Sequence, residues 1–101
     1  MRLSNRSKFR PSTTVIVPVL NEHENIMPLV KRLNVALSRR KIEILFIDDS
    51  PGRKTSQQIR LAKQKYHRKT LEINNIHRRG EACHGGLSGA VVDGISKAKS
   101  N

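Results

Sequence analysis

The chain reads as an α/β protein built on a parallel sheet, and three observations predict this. Two apolar runs end in acid: Val15-Ile16-Val17-Pro18-Val19-Leu20 leads into Asn21-Glu22, and Ile42-Glu43-Ile44-Leu45-Phe46-Ile47 into Asp48-Asp49. Each run is followed by a segment with helical apolar spacing. A third β-like stretch, Thr70 to Ile76, precedes the cleanest helical period in the chain, Leu87 to Ala98. Strand and helix alternate with short connections, which gives a βαβαβα order and a parallel, Rossmann-like sheet with right-handed crossovers. Carboxylates at the ends of buried strands cost free energy unless they hold something. In open α/β sheets ligands bind beyond the carboxyl ends of the strands. The two acidic tips are therefore the candidate ligand site.

The elements can be justified in order. Residues 1–12 carry Arg2, Arg6, Lys8 and Arg10 without apolar period and read as a mobile basic arm. Thr13 to Val19 is continuous and β-branched, as expected of a strand buried on both faces. Asn21 to Asn25 is a polar loop, with Asn25 as helix N-cap and Pro28 tolerated in the first turn. The first helix then runs to about Arg40, with Ile26, Leu29, Val30, Leu33 and Leu37 on one stripe. Arg39 and Arg40 suit its negative end. Ile42 to Asp48 is the second strand, and Asp49-Ser50-Pro51-Gly52 is a turn by composition. Thr55 to Tyr66 makes a weaker helix, with Ile59, Ala62 and Tyr66 on one side. His77 to Gly86 is a loop rich in glycine and charge, and the last helix presents Leu87, Ala90, Val91, Gly94, Ile95 and Ala98.

Composition bounds the function. The chain has 101 residues, room for one small domain. With three aromatics and no Trp, its core must be built from Ile, Leu, Val and Ala. Twenty Lys and Arg against eight Asp and Glu give a net charge of +12, a field that attracts nucleotides, nucleic acid or anionic lipid. The single cysteine, Cys83, excludes an internal disulfide framework and suits a reducing compartment. The apolar run from Val15 to Leu20 is broken by Pro18 and falls far short of the roughly 18 residues of a membrane span. The expected location is the cytoplasm, with the basic arm able to rest on anionic headgroups at a membrane's cytoplasmic face.

The motifs, in order, are Val17-Pro18-Val19-Leu20-Asn21-Glu22 followed by Asn25-Ile26, then Phe46-Ile47-Asp48-Asp49-Ser50, then Arg79 leading to Gly86-Leu87-Ser88-Gly89-Ala90-Val91 with Gly94. This order and spacing resembles the family 2 glycosyltransferases, and within them is most similar to the dolichol- or polyprenol-phosphate mannosyltransferases. The likeness covers about residues 13 to 100. It implies a GT-A fold, of which residues 13–101 would be the amino-terminal portion that binds a nucleotide sugar. Carried over by position, Pro18, Leu20 and Glu22 would line the base and ribose, and Ile47 would contact the base. Asp49 would hydrogen-bond the base's polar edge, and Arg79 would lie near phosphate or sugar. The donor implied is GDP-mannose, or else a UDP-sugar. The acceptor implied for the complete enzyme is a polyprenyl (dolichyl) phosphate.

The departures matter equally. Leu20 stands where the family often has an aromatic residue, and Pro51-Gly52-Arg53-Lys54-Thr55 lacks a further Asp. The Asp-x-Asp that would hold Mg2+ or Mn2+ belongs on a strand after the last helix, and no such strand follows in these 101 residues. The isolated chain is therefore expected to be inactive, with no catalytic or metal-binding residue of its own. Two further readings compete with the motif. Asp48-Asp49 could merely cap a turn, and Glu22 could merely be a first-turn helix acid. The glycines at 80, 85, 86 and 89 lack the Lys-Ser/Thr of a Walker loop. His67, His77 and His84 with Cys83 have no metal-ligand spacing. The rival class is a basic nucleic-acid-binding or non-catalytic interaction fragment. Against nucleic acid stand the lack of a helix-turn-helix, of zinc spacing and of an aromatic stacking platform.

Overall fold

The computed structural model describes residues 10–78, 94, 95, 97 and 98. Five elements alternate: β1 (Thr13–Val19), α1 (His23–Ala36), β2 (Ile42–Asp48), α2 (Lys54–Lys65) and β3 (Leu71–His77). The three strands form one parallel sheet in the order β1-β2-β3. This is the predicted α/β class. Of the predicted third helix, Gly94, Ile95 and Lys97 are helical, Ala98 is not, and the rest lies outside the described residues.

β2 is central, and all seven of its residues are buried. Side chains alternate across a strand, so Ile42, Ile44 and Phe46 enter one core with Val19, Leu71 and Ile73. Ile26 and Val30 of α1 and Ile59 and Ala62 of α2 cover that face. Leu45 and Ile47 point the other way and pack with Ile16, Ile76 and Ala98. The expectation that β1 is buried on both faces is corrected: six of its seven residues are only half-buried, because it is an edge strand of the described sheet. A full-length charge also sits in the sheet. Glu43 is buried and accepts hydrogen bonds from Thr14 Oγ1 at 3.0 Å and Asn74 Nδ2 at 2.7 Å, which satisfy its carboxylate.

The helix ends differ from the expectation. α1 begins at His23, with Glu22 as N-cap, so Pro28 falls in the second turn instead of the first. Proline lacks an N–H, so the exposed Glu24 carbonyl has no helical donor. The helix stops at Ala36 and turns through Leu37 to Arg39, with Arg40 N–H bonded to the Leu37 carbonyl. Its free carbonyl end is met by Arg68, not by Arg39 or Arg40. The Arg68 guanidinium donates to the carbonyls of Leu37 and Arg40, to Asn34 Oδ1 at 2.9 Å and to Thr70 Oγ1. A cation at a helix carboxyl end is favourable for its charge and for the orphan carbonyls it satisfies. Within the predicted arm, Pro11 is buried and Ser12 donates from its N–H to the Lys41 carbonyl at 2.8 Å.

Gly94 marks where the last helical turn touches the sheet. A Cβ placed on it would collide with Ile16 Cγ2, a branched and poorly yielding group. Gly94→Ala should therefore cost about 1–3 kcal/mol of unfolding free energy in urea titration. Arg68→Ala should lower stability by about 1 kcal/mol, and Arg68→Lys, which keeps charge without the fork, should restore only part of it.

Candidate functional site

The site follows from the pairing register. Val19, Asp48 and His77 lie side by side at the carboxyl ends of the three strands. The ladder continues one residue further: Asp49 N–H donates to the Val19 carbonyl at 2.9 Å, and Arg78 N–H to the Asp48 carbonyl at 2.8 Å. Alternation then fixes which face each residue serves. Val19, Asp48 and His77 belong to the face covered by α1 and α2. Leu20, Asp49 and Arg78 belong to the face of Ile16, Ile47 and Ile76.

The adjacent aspartates therefore do different work. Asp48 is fully buried. Its Oδ1 accepts from Ser50 N–H at 2.9 Å and its Oδ2 from Ser56 Oγ at 2.8 Å. Ser50 Oγ accepts the Asn21 N–H at 2.8 Å and donates to Thr55 Oγ1. Asn21 has φ 52°, a left-handed conformation that asparagine tolerates better than most residues. The β1–α1 and β2–α2 loops are thus stitched together under the cleft. The turn-capping reading of the aspartate pair holds for Asp48.

Asp49 faces the other way and meets Arg78. Arg78 Nε donates to Oδ1 at 2.6 Å and Nη2 to Oδ2 at 2.7 Å, a two-pronged pair. The Arg78 side chain is 4% exposed and that of Asp49 14%, so the pair is shielded yet reaches the surface. A carboxylate offers about four lone-pair directions, so each Asp49 oxygen keeps capacity for a further donor.

Four of the six residues singled out in the sequence come together on this face. Pro18 and Ile47 are register partners, and Leu20 and Asp49 lie one step beyond them. Leu20 is 58% exposed, an apolar surface at the cleft mouth. Ile47 is fully buried among Leu45, Ile16, Ile76 and Ala98, so it forms floor rather than contact surface. Glu22 is exposed, and its Oε1 accepts from Leu20 N–H at 3.5 Å, which folds it back toward the β1 tip. Glu22 and Asp49 are therefore on the same edge of the sheet. Arg79 lies outside the described residues.

The sequence motif pointed to Arg79, and the structure pairs its neighbour Arg78 with Asp49. The strands repeat at a spacing of 29 residues, so Leu20, Asp49 and Arg78 are equivalent positions of successive units. Stacking the chain at that period would have put Arg78 beside Asp49. Among the described residues no group of three His, Cys, Asp or Glu side chains could hold a metal ion. The divergence of Asp48 from Asp49 is the local reason, since the two cannot grip one cation.

A parallel sheet with helices between its strands, and with acid and a paired arginine at its carboxyl edge, is an α/β domain of the Rossmann-like class. Residues 14–101 match the family described as Glycosyl transferase family 2, and the chain belongs to that family. Over 85 residues it is 33% identical to a dolichol-phosphate mannosyltransferase of Pyrococcus furiosus; the match covers 84% of this chain and 22% of that protein. Its fold resembles the mannosyltransferase PcManGT from Pyrobaculum calidifontis, whose structure is a complex with GDP-Man and Mn2+. That likeness has a TM-score of 0.60 at 21% identity, over 90% of this chain and 25% of the other. The chain thus spans about a quarter of the length of these relatives.

Removing one partner of a shielded ion pair strands the other. Arg78→Met should lower the unfolding free energy by about 3 kcal/mol in urea titration, and the double change Arg78→Met with Asp49→Leu should recover most of it.

Proposed function

We propose that this chain is the nucleotide-sugar-binding portion of a glycosyltransferase. In that reading GDP-mannose is the donor and a polyprenyl phosphate the acceptor of the complete enzyme. The observation that supports it best is the meeting of Glu22, Leu20, Asp49 and Arg78 at one edge of the sheet. The names of the relatives favour a mannosyl donor and a dolichol-type acceptor.

The chemistry suits a nucleobase edge. Asp49 offers acceptor lone pairs, and Arg78 holds its carboxylate in a fixed orientation. A guanine presents N–H donors on its polar edge, and a uracil presents one, so Asp49 can accept from either base. Leu20 offers an apolar surface to the base plane, weaker than an aromatic stack. Glu22, exposed beside it, can accept from ribose hydroxyls as acids do in other nucleotide folds. The described residues hold no cation site, so leaving-group stabilisation by Mg2+ or Mn2+ is not assigned to them. In the complete enzyme the acceptor phosphate is already anionic, so positioning and leaving-group stabilisation carry the rate more than a strong base does.

Calorimetry with GDP, UDP and their mannose and glucose conjugates tests this. GDP should bind weakly, and Asp49→Ala should weaken it by about tenfold or more, the value of a hydrogen bond to a charged group. Glu22→Gln, an exposed change with little folding cost, should weaken it by roughly threefold to tenfold. Affinities equal to the unmodified chain in both variants would overturn the assignment. Steep, salt-dependent retention on DNA with no nucleotide binding would favour the basic-binding alternative instead.

A further inference from the structure

Asp48 and His77 touch no part of the proposed cleft, yet both belong to one connected polar group. His77 Nε2 lies 2.7 Å from the Ser50 carbonyl, which can only accept, so Nε2 carries a proton. His77 Nδ1 lies 3.2 Å from Ser56 Oγ. The single hydroxyl proton of Ser56 is directed to Asp48 Oδ2 at 2.8 Å. His77 Nε2 also lies 3.9 Å from Asp48 Oδ2. The other charged groups around the ring are Arg53 and Arg60 of α2, which line a cavity of about 340 Å³ with Ser56, Gln57 and His77.

We propose that Asp48 and His77 are positioning residues for Asp49, clamping the β2–α2 loop through Ser50 and Ser56. Asp48 fixes Ser50 from its N–H side and His77 from its carbonyl side. Ser50 immediately follows Asp49 and also holds the Asn21 N–H of the opposite loop. Freeing Ser50 therefore loosens both lips of the cleft at once.

This inference rests on the nucleotide reading for its functional consequence, but the clamp itself can be judged without a ligand. Three variants serve: His77→Phe, His77→Gln and Asp48→Asn. His77→Gln can keep a donor toward the Ser50 carbonyl. Amide hydrogen exchange at Ser50 and Asn21 should quicken about tenfold in His77→Phe and Asp48→Asn and less in His77→Gln, with far-UV circular dichroism unchanged. GDP affinity should fall about tenfold in the first two. If GDP binds the unmodified chain and all three variants alike, the positioning role is overturned. If GDP binds none of them, the nucleotide reading fails, and unchanged exchange at Ser50 and Asn21 would then overturn the clamp as well. A variant that loses its circular dichroism signal is replaced in both measurements by Ser56→Ala, which removes the shared hydroxyl and should reproduce the faster exchange; unchanged exchange there overturns the clamp.

Discussion

Burial of β2 on both faces is the constraint from which the rest of the structure derives. A strand covered on both sides has no solvent-facing residue to absorb polarity, so each polar side chain on it must be matched within the protein. Glu43 is matched by Thr14 and Asn74 at one end. Asp48 is matched by Ser50 and Ser56 at the other. Only past the last ladder residue can a carboxylate meet both protein and solvent, and Asp49 stands there. The position of the cleft is thus a result of where central-strand burial ends.

Much of this was legible in the chain because strand and helix periods are strong local signals. β1 and β2 lie where their apolar runs place them, and Ile26, Val30, Ile59 and Ala62 are core residues as their spacing requires. Pro18, Leu20, Ile47 and Asp49 share a face because parity along a strand is readable without a structure. Helix ends were less readable. Past the end of α1 at Ala36, the carbonyls of Leu37 and Arg40 are met by Arg68, distant in sequence, and no local pattern around residues 37–40 records that partner. Arg78 could not be told from Arg79 for a related reason. Its role depends on lateral pairing between strands, and two consecutive arginines look alike until the ladder separates them.

Charge acts at two ranges in this molecule. The excess of Lys and Arg creates a long-range attraction for anions that is screened by salt. α2 shows the pattern clearly: Lys54, Arg60, Lys63 and Lys65 are exposed and the helix holds no acid. The cleft itself works differently, through an acid and a base in contact, whose separation is set by covalent neighbours and backbone hydrogen bonds. The first effect acts over the whole surface, and the second holds one carboxylate in a fixed orientation.

Two neighbouring acids at the end of an interior strand have one more consequence. Shifting β2 by a single residue against its neighbours, so that Asp49 takes the place of Asp48, would carry Asp48 to the place of Ile47, among Ile16, Ile76 and Ala98. The misaligned sheet would bury that acid among apolar side chains, away from its serines. Mispairing is therefore discouraged by chemistry as well as by shape, and the doublet helps the nascent chain choose one alignment among those that apolar residues alone would permit.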